Sequence, residues 1–221
     1  MSLRVFGLTG GIGSGKSAAA RRLRARGLPV VNADDLARDA VTRGSEGLAQ
    51  VVEYFGSEVL SESGKLDRAK LGQIVFSDPE ARGALDGIVH PIVRQLAAQR
   101  FQEIAEQGEP LACYEVPLLY EVGLSQRYQP VVVVSASLAQ RKSRIAARDG
   151  FDEAQIAARI AAQMPLEEKA RRADYVIHND GSLSELEART DAVLDAICLA
   201  LAVSVARYPL PVPPPPPGSF S

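Results

Sequence analysis

Short apolar runs alternate along the chain with longer segments in which apolar residues recur at helical spacing. The runs are rich in valine and isoleucine and lack polar alternation, which is typical of strands covered on both faces. They predict strands at RVFGL (4–8), LPVVN (28–32), LACYEV (111–116), PVVVVSA (130–136) and DYVIHN (174–179). Strands alternating with helices favour an α/β fold, in which a parallel five-stranded sheet is flanked by helices.

The helical spacing recurs in nine segments between and after these strands. They lie at 16–26, 33–41, 47–55, 67–76, 92–107, 137–149, 152–163, 166–173 and 182–206. The interval between the second and third strands holds four of them and is too long for a single crossover helix. It therefore predicts an inserted helical subdomain.

Composition narrows the class of protein. The chain has 221 residues, of which 46% are hydrophobic and 24% charged, as in one globular domain with or without a small insert. A formal net charge of -2 argues against a broad nucleic-acid-binding surface. No secretory signal is expected, because the first residues, MSLRVFGLTGG, have no long apolar stretch after a basic start. No membrane span is expected, because no apolar stretch reaches about 18 residues.

The few cysteines and histidines narrow the chemistry further. Cys113 and Cys198 lie in apolar surroundings without metal-ligand spacing, which predicts buried reduced thiols and a cytoplasmic location. Only two histidines are present, so a histidine-rich metal site is excluded.

A glycine-rich segment follows the first predicted strand and precedes the first predicted helix. Its residues fit the pattern G-x-x-x-x-G-K-[ST], in which backbone N–H groups turn inward to cradle phosphates. Its lysine adds charge near the β- and γ-phosphates, and its final serine is placed to coordinate Mg²⁺. A glycine-rich turn with a chance lysine is the alternative. The pattern predicts an ATP-binding P-loop at Gly10, Gly11, Ile12, Gly13, Ser14, Gly15, Lys16 and Ser17.

The rest of the sequence separates the classes of P-loop protein. A GTPase would carry N/T-K-x-D to read guanine, and no lysine here follows Asn or Thr. A motor ATPase would usually have an apolar strand ending in Asp, whereas the third predicted strand ends in Glu115. A small-molecule kinase fits better. A kinase acting on nucleosides or nucleotides and a non-catalytic nucleotide-binding regulator remain alternatives.

The carboxylate of Asp34 is the main candidate for acid–base chemistry. It follows the second strand, and the carboxyl ends of parallel strands open onto one crevice, so we expect Asp34 to face the P-loop. There it would accept a proton from an attacking hydroxyl or help to hold Mg²⁺. The alternative is that Asp34 or Asp35 merely caps the following helix.

Three arginines follow the fourth strand at helical spacing. Arg141, Arg144 and Arg148 lie three and four residues apart, so they can share one face of a helix. A mobile helical lid bearing them would close over ATP and stabilise charge on the transferring phosphoryl group. The alternative is a solvated basic face.

These assignments predict a single P-loop kinase domain at residues 1–205. Its parts are a core at about 1–33 and 109–205, a helical acceptor subdomain at about 34–108 and a lid at about 137–173. Residues 206–221 are rich in proline, which lacks an N–H group, and predict an extended or disordered tail.

Several segments together resemble the dephospho-CoA kinase family, from about Leu8 to beyond Gly181. The resemblance covers GLTGGIGSGKS, VVNADDLARDAV, the stretch from FGSEVL to HPIV, YEVPLLYE, QRKSRIAARDG and ADYVIHNDGSLSEL. The P-loop is generic by itself, whereas these segments in this order are specific. One departure is Asn32, where the family usually has the first Asp of D-A-D. Asn32 cannot act as a base, and the resemblance makes Asp34 the base.

The resemblance implies transfer of the ATP γ-phosphoryl group to the ribose 3′-hydroxyl of dephospho-CoA, the final step of coenzyme A biosynthesis. Asp34 would activate that hydroxyl, while Lys16 and Mg²⁺, bound by Ser17, would neutralise phosphate charge. Arg144 and Arg148 would clamp the phosphoryl groups. Further implied positions are Asn179 and Gly181 against adenine, and His90, Leu118 and Glu121 along the acceptor.

His90 keeps a structural alternative, because it precedes a proline and would then only shape a helix start. Glu115, which ends the third predicted strand, would position the end of that strand. The small-molecule acceptor is the only partner expected, with the chain a monomer or a weak homo-oligomer.

Overall fold

The computed structural model describes residues 2–211 of the chain, and its centre is a five-stranded sheet. The strands follow the order β2-β3-β1-β4-β5, and the sheet is parallel. The predicted α/β class and all five strands are confirmed. Their bounds are β1 Arg4–Gly10, β2 Val30–Asn32, β3 Leu111–Glu115, β4 Val131–Ser135 and β5 Tyr175–His178.

Helices fill the intervals between the strands. Two short 3₁₀ segments, Ser57–Val59 and Val205–Arg207, accompany them. The bounds of the helices are α1 Lys16–Ala25, α2 Ala33–Ala40, α3 Glu46–Phe55, α4 Arg68–Ser77, α5 Pro79–Glu106, α6 Leu138–Asp149, α7 Glu153–Ala161, α8 Leu166–Arg171 and α9 Leu183–Ala200. None of these helices within the described chain combines the length and apolar character required to cross a membrane.

The chain divides into two compact units, with the boundary inside β2. The sheet unit comprises the described residues within Met1–Val30 and Gly108–Ser221, and the helical unit is Val31–Gln107. In the sheet unit, β1 lies between β3 and β4, and the side chains of Phe6 and Leu8 are buried. Helices α1 and α9 pack together and bury Leu23 and Leu194 in the same core.

The helical unit has its own small core. Residues Val51, Phe55, Leu71 and Ala81 of three helices pack together, and α2 and α4 both contact the long helix α5. The alternative that the His-Pro pair shapes a helix start is wrong, because His90 and its proline lie inside α5. Proline lacks an N–H group, yet α5 continues through Pro91 and packs against α2, α3 and α4.

The C-terminal segment differs from the sequence prediction. Helix α9 ends at Ala200 rather than continuing to residue 206. The predicted tail is wrong at its start, because the Tyr208 side chain is 1% exposed and its hydroxyl donates to the Leu111 carbonyl. Burial raises the pKa of Tyr208 well above its usual range. The buried Arg26 donates to the Tyr208 carbonyl (2.9 Å). Residues 212–221 of the predicted tail lie outside the described residues.

Candidate functional site

The P-loop lies between the carboxyl end of β1 and the first turn of α1, as predicted. Gly15 is the N-cap residue of α1 and has φ +94, a left-handed conformation that favours glycine. A Cβ at Gly15 would overlap the side-chain amide of Asn179. Both features explain why glycine precedes the lysine of the motif.

The P-loop lysine is held by a buried carboxylate. Lys16 Nζ lies 2.7 Å from Oε1 of Glu115, whose side chain is 1% exposed, and Arg24 lies 3.5 Å from the other oxygen. Glu115 occupies this position because the parallel register pairs it with Leu8, just before the P-loop. The pairing of Glu115 with Lys16 was not predicted from the sequence. The place of Glu115 at the end of an apolar strand was the available signal.

Two side chains of the predicted lid region hold the backbone N–H and carbonyl of one P-loop residue, Ile12. The Ile12 N–H donates to Gln163 Oε1 (2.8 Å), and Arg141 Nε donates to the Ile12 carbonyl (3.0 Å). Burial lowers the pKa of Arg141, whose side chain is almost inaccessible, so a solvated face is wrong for this arginine. Gln163 was not predicted, since it lies 151 positions from its partner and belongs to no motif.

Two predicted residues also lie against the P-loop. Arg144 donates to the carbonyls of Gly13 (3.5 Å) and Asn179 (3.0 Å). The side chain of Asn179 in turn donates to the Ser14 carbonyl (2.8 Å). The structure therefore brings together the P-loop, Arg144 and Asn179, which were chosen from separate segments of the sequence.

Arg148 lies elsewhere on the same helix. Its exposed guanidinium binds both carboxylate oxygens of Asp149, at 2.8 and 2.7 Å. This hydrogen bonding lowers the pKa of Asp149. Arg141, Arg144 and Arg148 therefore run from buried to exposed rather than sharing one environment, and the role of Arg148 at ATP stays a prediction.

The segment after β3 carries two predicted acceptor residues. Leu118 is 40% exposed. Glu121 forms an ion pair (2.8 Å) with Lys169, a wholly buried residue of α8 whose Nζ also donates to the Pro117 carbonyl (3.0 Å). Glu121 thus ties α8 to this segment, a tertiary function that the sequence did not reveal. Its contact with an acceptor stays a prediction.

The remaining predicted residues of the sheet unit lie at exposed positions. Gly181 directly precedes Ser182, the N-cap residue of α9, and the Glu185 carboxylate fills the space where a Cβ would lie. Ser17 lies in the first turn of α1, and its hydroxyl makes no hydrogen bond within residues 2–211. The adenine contact of Gly181 and the metal contact of Ser17 stay predictions.

In the helical unit, Asn32 caps α2. Its side-chain oxygen accepts from the N–H groups of Asp34 (2.7 Å) and Asp35 (3.3 Å). The alternative that one of these aspartates caps the helix is therefore wrong. Asp34 is exposed in the first turn of α2, where the helix dipole favours a negative charge. Its carboxylate forms no hydrogen bond or ion pair with the described part of the chain, whereas Asp35 binds Arg38 (2.7 Å).

His90 also belongs to the helical unit. Its Nε2 lies 3.6 Å from Oδ1 of Asp86, one turn earlier in α5, and both side chains are about half exposed. The structure therefore places Asp34 and His90 in one unit and the P-loop, Arg144 and Asn179 in the other.

The P-loop fits a phosphate group and a magnesium ion. The buried Ser14 hydroxyl has no hydrogen-bond partner in the described structure, and the Ser17 hydroxyl lies exposed at the end of the loop. The described residues contain no cluster of three His, Cys, Asp or Glu side chains that could hold a metal. Mg²⁺ does not require such a cluster, because it is often bound by few protein oxygens together with substrate phosphates and water.

Comparison with known proteins agrees with this geometry. The family model described as dephospho-CoA kinase matches residues 4–185. The chain is 50% identical over 192 residues to the dephospho-CoA kinase of Anaeromyxobacter dehalogenans, covering 87% of this chain and 91% of that one. It is 42% identical over 190 residues to that of Bacillus cereus, covering 86% and 95%.

Two solved structures are also similar. TT1252 from Thermus thermophilus has a TM-score of 0.76 and 41% identity, with 89% of this chain and 99% of that chain covered. Dephospho-CoA kinase from Campylobacter jejuni has a TM-score of 0.67 and 27% identity, with 90% and 98% covered. The chain therefore belongs to the dephospho-CoA kinase family.

Proposed function

We propose that this protein transfers the γ-phosphoryl group of ATP to the ribose 3′-hydroxyl of dephospho-CoA, producing CoA and ADP. The observation that carries the proposal is an intact P-loop, braced by Arg141, Arg144, Gln163 and Asn179, in a chain of the dephospho-CoA kinase family.

The P-loop supplies the donor site. Its backbone N–H groups that have no partner within the loop and the N-terminus of α1 bind the phosphates, and Lys16 exchanges Glu115 for the β- and γ-phosphate oxygens. Arg144, already beside Gly13, stabilises the charge that develops on the transferring group. Arg148 joins it when the lid closes, and the turn from Asn179 to Gly181 lies against adenine.

Asp34 supplies the base. Its carboxylate accepts the proton of the 3′-hydroxyl as the ribose oxygen bonds to the γ-phosphorus and the bond to the β,γ-bridging oxygen breaks. An exposed carboxylate without a partner among residues 2–211 suits this role, because no competing ion pair must be broken first. His90, Leu118 and Glu121 contact the acceptor.

Mg²⁺ is the metal cofactor we propose, with the Ser17 hydroxyl as the P-loop ligand and Asp34 as a second oxygen donor. When bound, the ion neutralises charge on the phosphates. The hard oxygen donors of these side chains suit Mg²⁺ better than a softer metal. We further propose that the protein acts in the cytoplasm as a monomer or weak homo-oligomer.

A coupled assay of ADP release, with Mg-ATP and purified protein, tests the function. We expect release to depend on dephospho-CoA and to be weaker with nucleosides or mononucleotides as acceptors. ATP binding without acceptor-dependent release would instead identify a nucleotide-binding regulator and refute the proposed reaction. Preference for a nucleoside would identify another small-molecule kinase.

A further inference from the structure

The helical unit contains a cavity of about 290 Å³ beside the C-terminal end of α2 and the start of α4. Four basic side chains line it, namely Arg38, Arg43, Lys65 and Arg68, and we call this feature the basic cleft. Asp39 is the single carboxylate among the lining residues. No part of the mechanism above uses these cations.

The concentration of positive charge contrasts with the unit around it. Residues 31–107 contain eight Lys and Arg residues but thirteen Asp and Glu residues, so the unit as a whole is acidic. Half of its basic residues line this one cavity. If the basic residues were spread evenly over this unit, most of them would lie near its more numerous carboxylates.

Three of the four cations form no direct ion pair with any residue of the described chain, although Asp39 lines the same cavity. Arg43, Lys65 and Arg68 form no ion pair or side-chain hydrogen bond within the described residues, whereas Arg38 Nη1 lies 2.7 Å from Asp35 Oδ1. Like charges around one cavity repel each other, and the repulsion is relieved when an anion binds among them. The cleft therefore has the electrostatic character of an anion site.

The charge balance indicates which anion fits. Four cations are offset by the carboxylates of Asp39 and Asp35, which leaves two positive charges. A diphosphate diester carries two negative charges at neutral pH, and arginine forks match phosphate oxygens in pairs. If the proposed function holds, the acceptor contains one such group, between its adenosine and its pantetheine arm.

The position of the cleft along α2 agrees with this ligand. Asp34 and Arg38 are four residues apart and share one face of the helix, separated by about 6 Å along its axis. Asp34 is the proposed base for the 3′-hydroxyl, and the diphosphate is attached to the 5′ carbon of the same ribose. One helix thus presents both a base and a phosphate site at a spacing comparable with one nucleotide.

We propose that the basic cleft binds the diphosphate of dephospho-CoA, with Arg43, Lys65 and Arg68 as substrate-binding residues. This inference rests on the proposed function. It adds that the protein recognises the diphosphate of the acceptor as well as the phosphates of ATP. This diphosphate distinguishes the acceptor from a simple nucleoside. The γ-phosphoryl donor, ATP, also carries a chain of phosphates, and the test must separate the two ligands.

The test uses the double variant Arg43→Gln with Arg68→Gln, which keeps polar side chains but removes two charges. The matched control is Lys70→Gln, because the Lys70 side chain is exposed on α4 and does not line the cavity. Its ammonium group forms no hydrogen bond or ion pair in the described structure. We expect the KM for dephospho-CoA to rise roughly 10- to 100-fold in the double variant. In the double variant, the KM for ATP and the kcat should change less than about twofold. In the Lys70→Gln control, the KM for dephospho-CoA should also change less than about twofold.

An unchanged KM for dephospho-CoA would overturn the inference, as would an equal rise in the Lys70→Gln control or a rise confined to ATP. Melting temperatures followed by circular dichroism verify the fold of each variant. If the double variant does not fold, the single variant Lys65→Gln carries the test, with an expected rise of about three- to tenfold.

Calorimetric titration of dephospho-CoA keeps the two proposals apart. Wild-type protein that binds dephospho-CoA without phosphorylating it would remove only the proposed reaction, and weaker binding by the double variant would then still support the cleft. Wild-type protein that phosphorylates dephospho-CoA, with double-variant kinetics and binding equal to wild type, would remove only the cleft as its site.

Discussion

The P-loop of the sheet unit and the N-terminal end of α2 in the helical unit prepare their chemistry in opposite ways. Around the P-loop, the backbone groups of Ile12, Gly13 and Ser14 are held by side chains from distant segments, and Lys16 is paired with Glu115. On α2, by contrast, Asp34 is exposed and has no polar side-chain partner among residues 2–211.

This difference follows from what each group must do. A phosphate cradle made of backbone N–H groups works only if the loop keeps one shape, and hydrogen bonds from buried and partly buried side chains supply that rigidity. A base must instead offer a lone pair to an incoming hydroxyl, so a strong internal partner would compete with the substrate. Substitutions in the two regions should therefore have different kinetic effects.

Removing the base should cause the greatest loss of turnover. For Asp34→Asn we expect kcat to fall by about 10²- to 10⁴-fold, because general-base catalysis is lost while the P-loop is intact. The KM for ATP should change much less than kcat, because the P-loop and Ser17 remain to bind Mg-ATP. Steady-state ADP release measures both quantities.

Asp35→Asn is the matched control for this loss. It removes a carboxylate from the same helical turn together with an exposed ion pair to Arg38, and exposed pairs contribute little. Near wild-type turnover of the Asp34→Asn variant would remove Asp34 from the proposed mechanism and end the contrast between the two regions.

Reshaping the P-loop should act on ATP. Gly15→Ala forces a side chain into a left-handed conformation and against the Asn179 amide, so we expect about a hundredfold loss of ATP affinity. Gly27→Ala is the control, since Gly27 has φ +82 but no atom within 4 Å of its Cβ position. The Gly27→Ala variant should have a lower stability of the fold but an unchanged affinity for ATP. Equal ATP affinity of both variants, by titration calorimetry, would contradict a rigid cradle.

Loosening the P-loop should have a smaller effect. Gln163→Met keeps the length of the side chain but removes the acceptor for the Ile12 N–H, so we expect kcat/KM for ATP to fall about tenfold. Gln99→Met, at an exposed position of α5, controls for the substitution itself. If instead the KM for dephospho-CoA changes and that for ATP does not, Gln163 serves the acceptor and not the P-loop.

The C-terminal segment should affect stability with little effect on chemistry. Ending the chain after Arg207 removes Tyr208 from the core and takes one carbonyl acceptor from the buried Arg26 guanidinium, which keeps its bonds to Asp191 and Asp195, so we expect about 3–5 kcal/mol less stability. Turnover per folded molecule should remain. A chain ending after Pro211 keeps all the described residues and should melt like the full chain in calorimetry. Equal melting of both truncations would show that Tyr208 contributes nothing.

Local patterns in the chain were enough to predict the strands and the P-loop. A strand covered on both faces needs a continuous apolar run, and a phosphate cradle needs glycines at set positions before a lysine, so both leave marks within a few residues. The choice of Asp34 over Asp35 rested on resemblance to a family. The structure adds that Asn32 takes the capping role, so the Asp34 carboxylate caps nothing.

Contacts between distant segments have no recognisable pattern in the local sequence. Gln163 and Ile12 are 151 positions apart, and Lys169 lies 52 from the carbonyl that it binds, so nothing near them in the chain indicates their partners. Tyr208 followed an apparent break in helical pattern and preceded prolines, yet it completes the core. Local patterns in the amino-acid sequence therefore specified the secondary-structure elements and the phosphate-binding motif. Tertiary packing decided which polar side chains are buried and paired, because that depends on which segments the fold brings within hydrogen-bond distance.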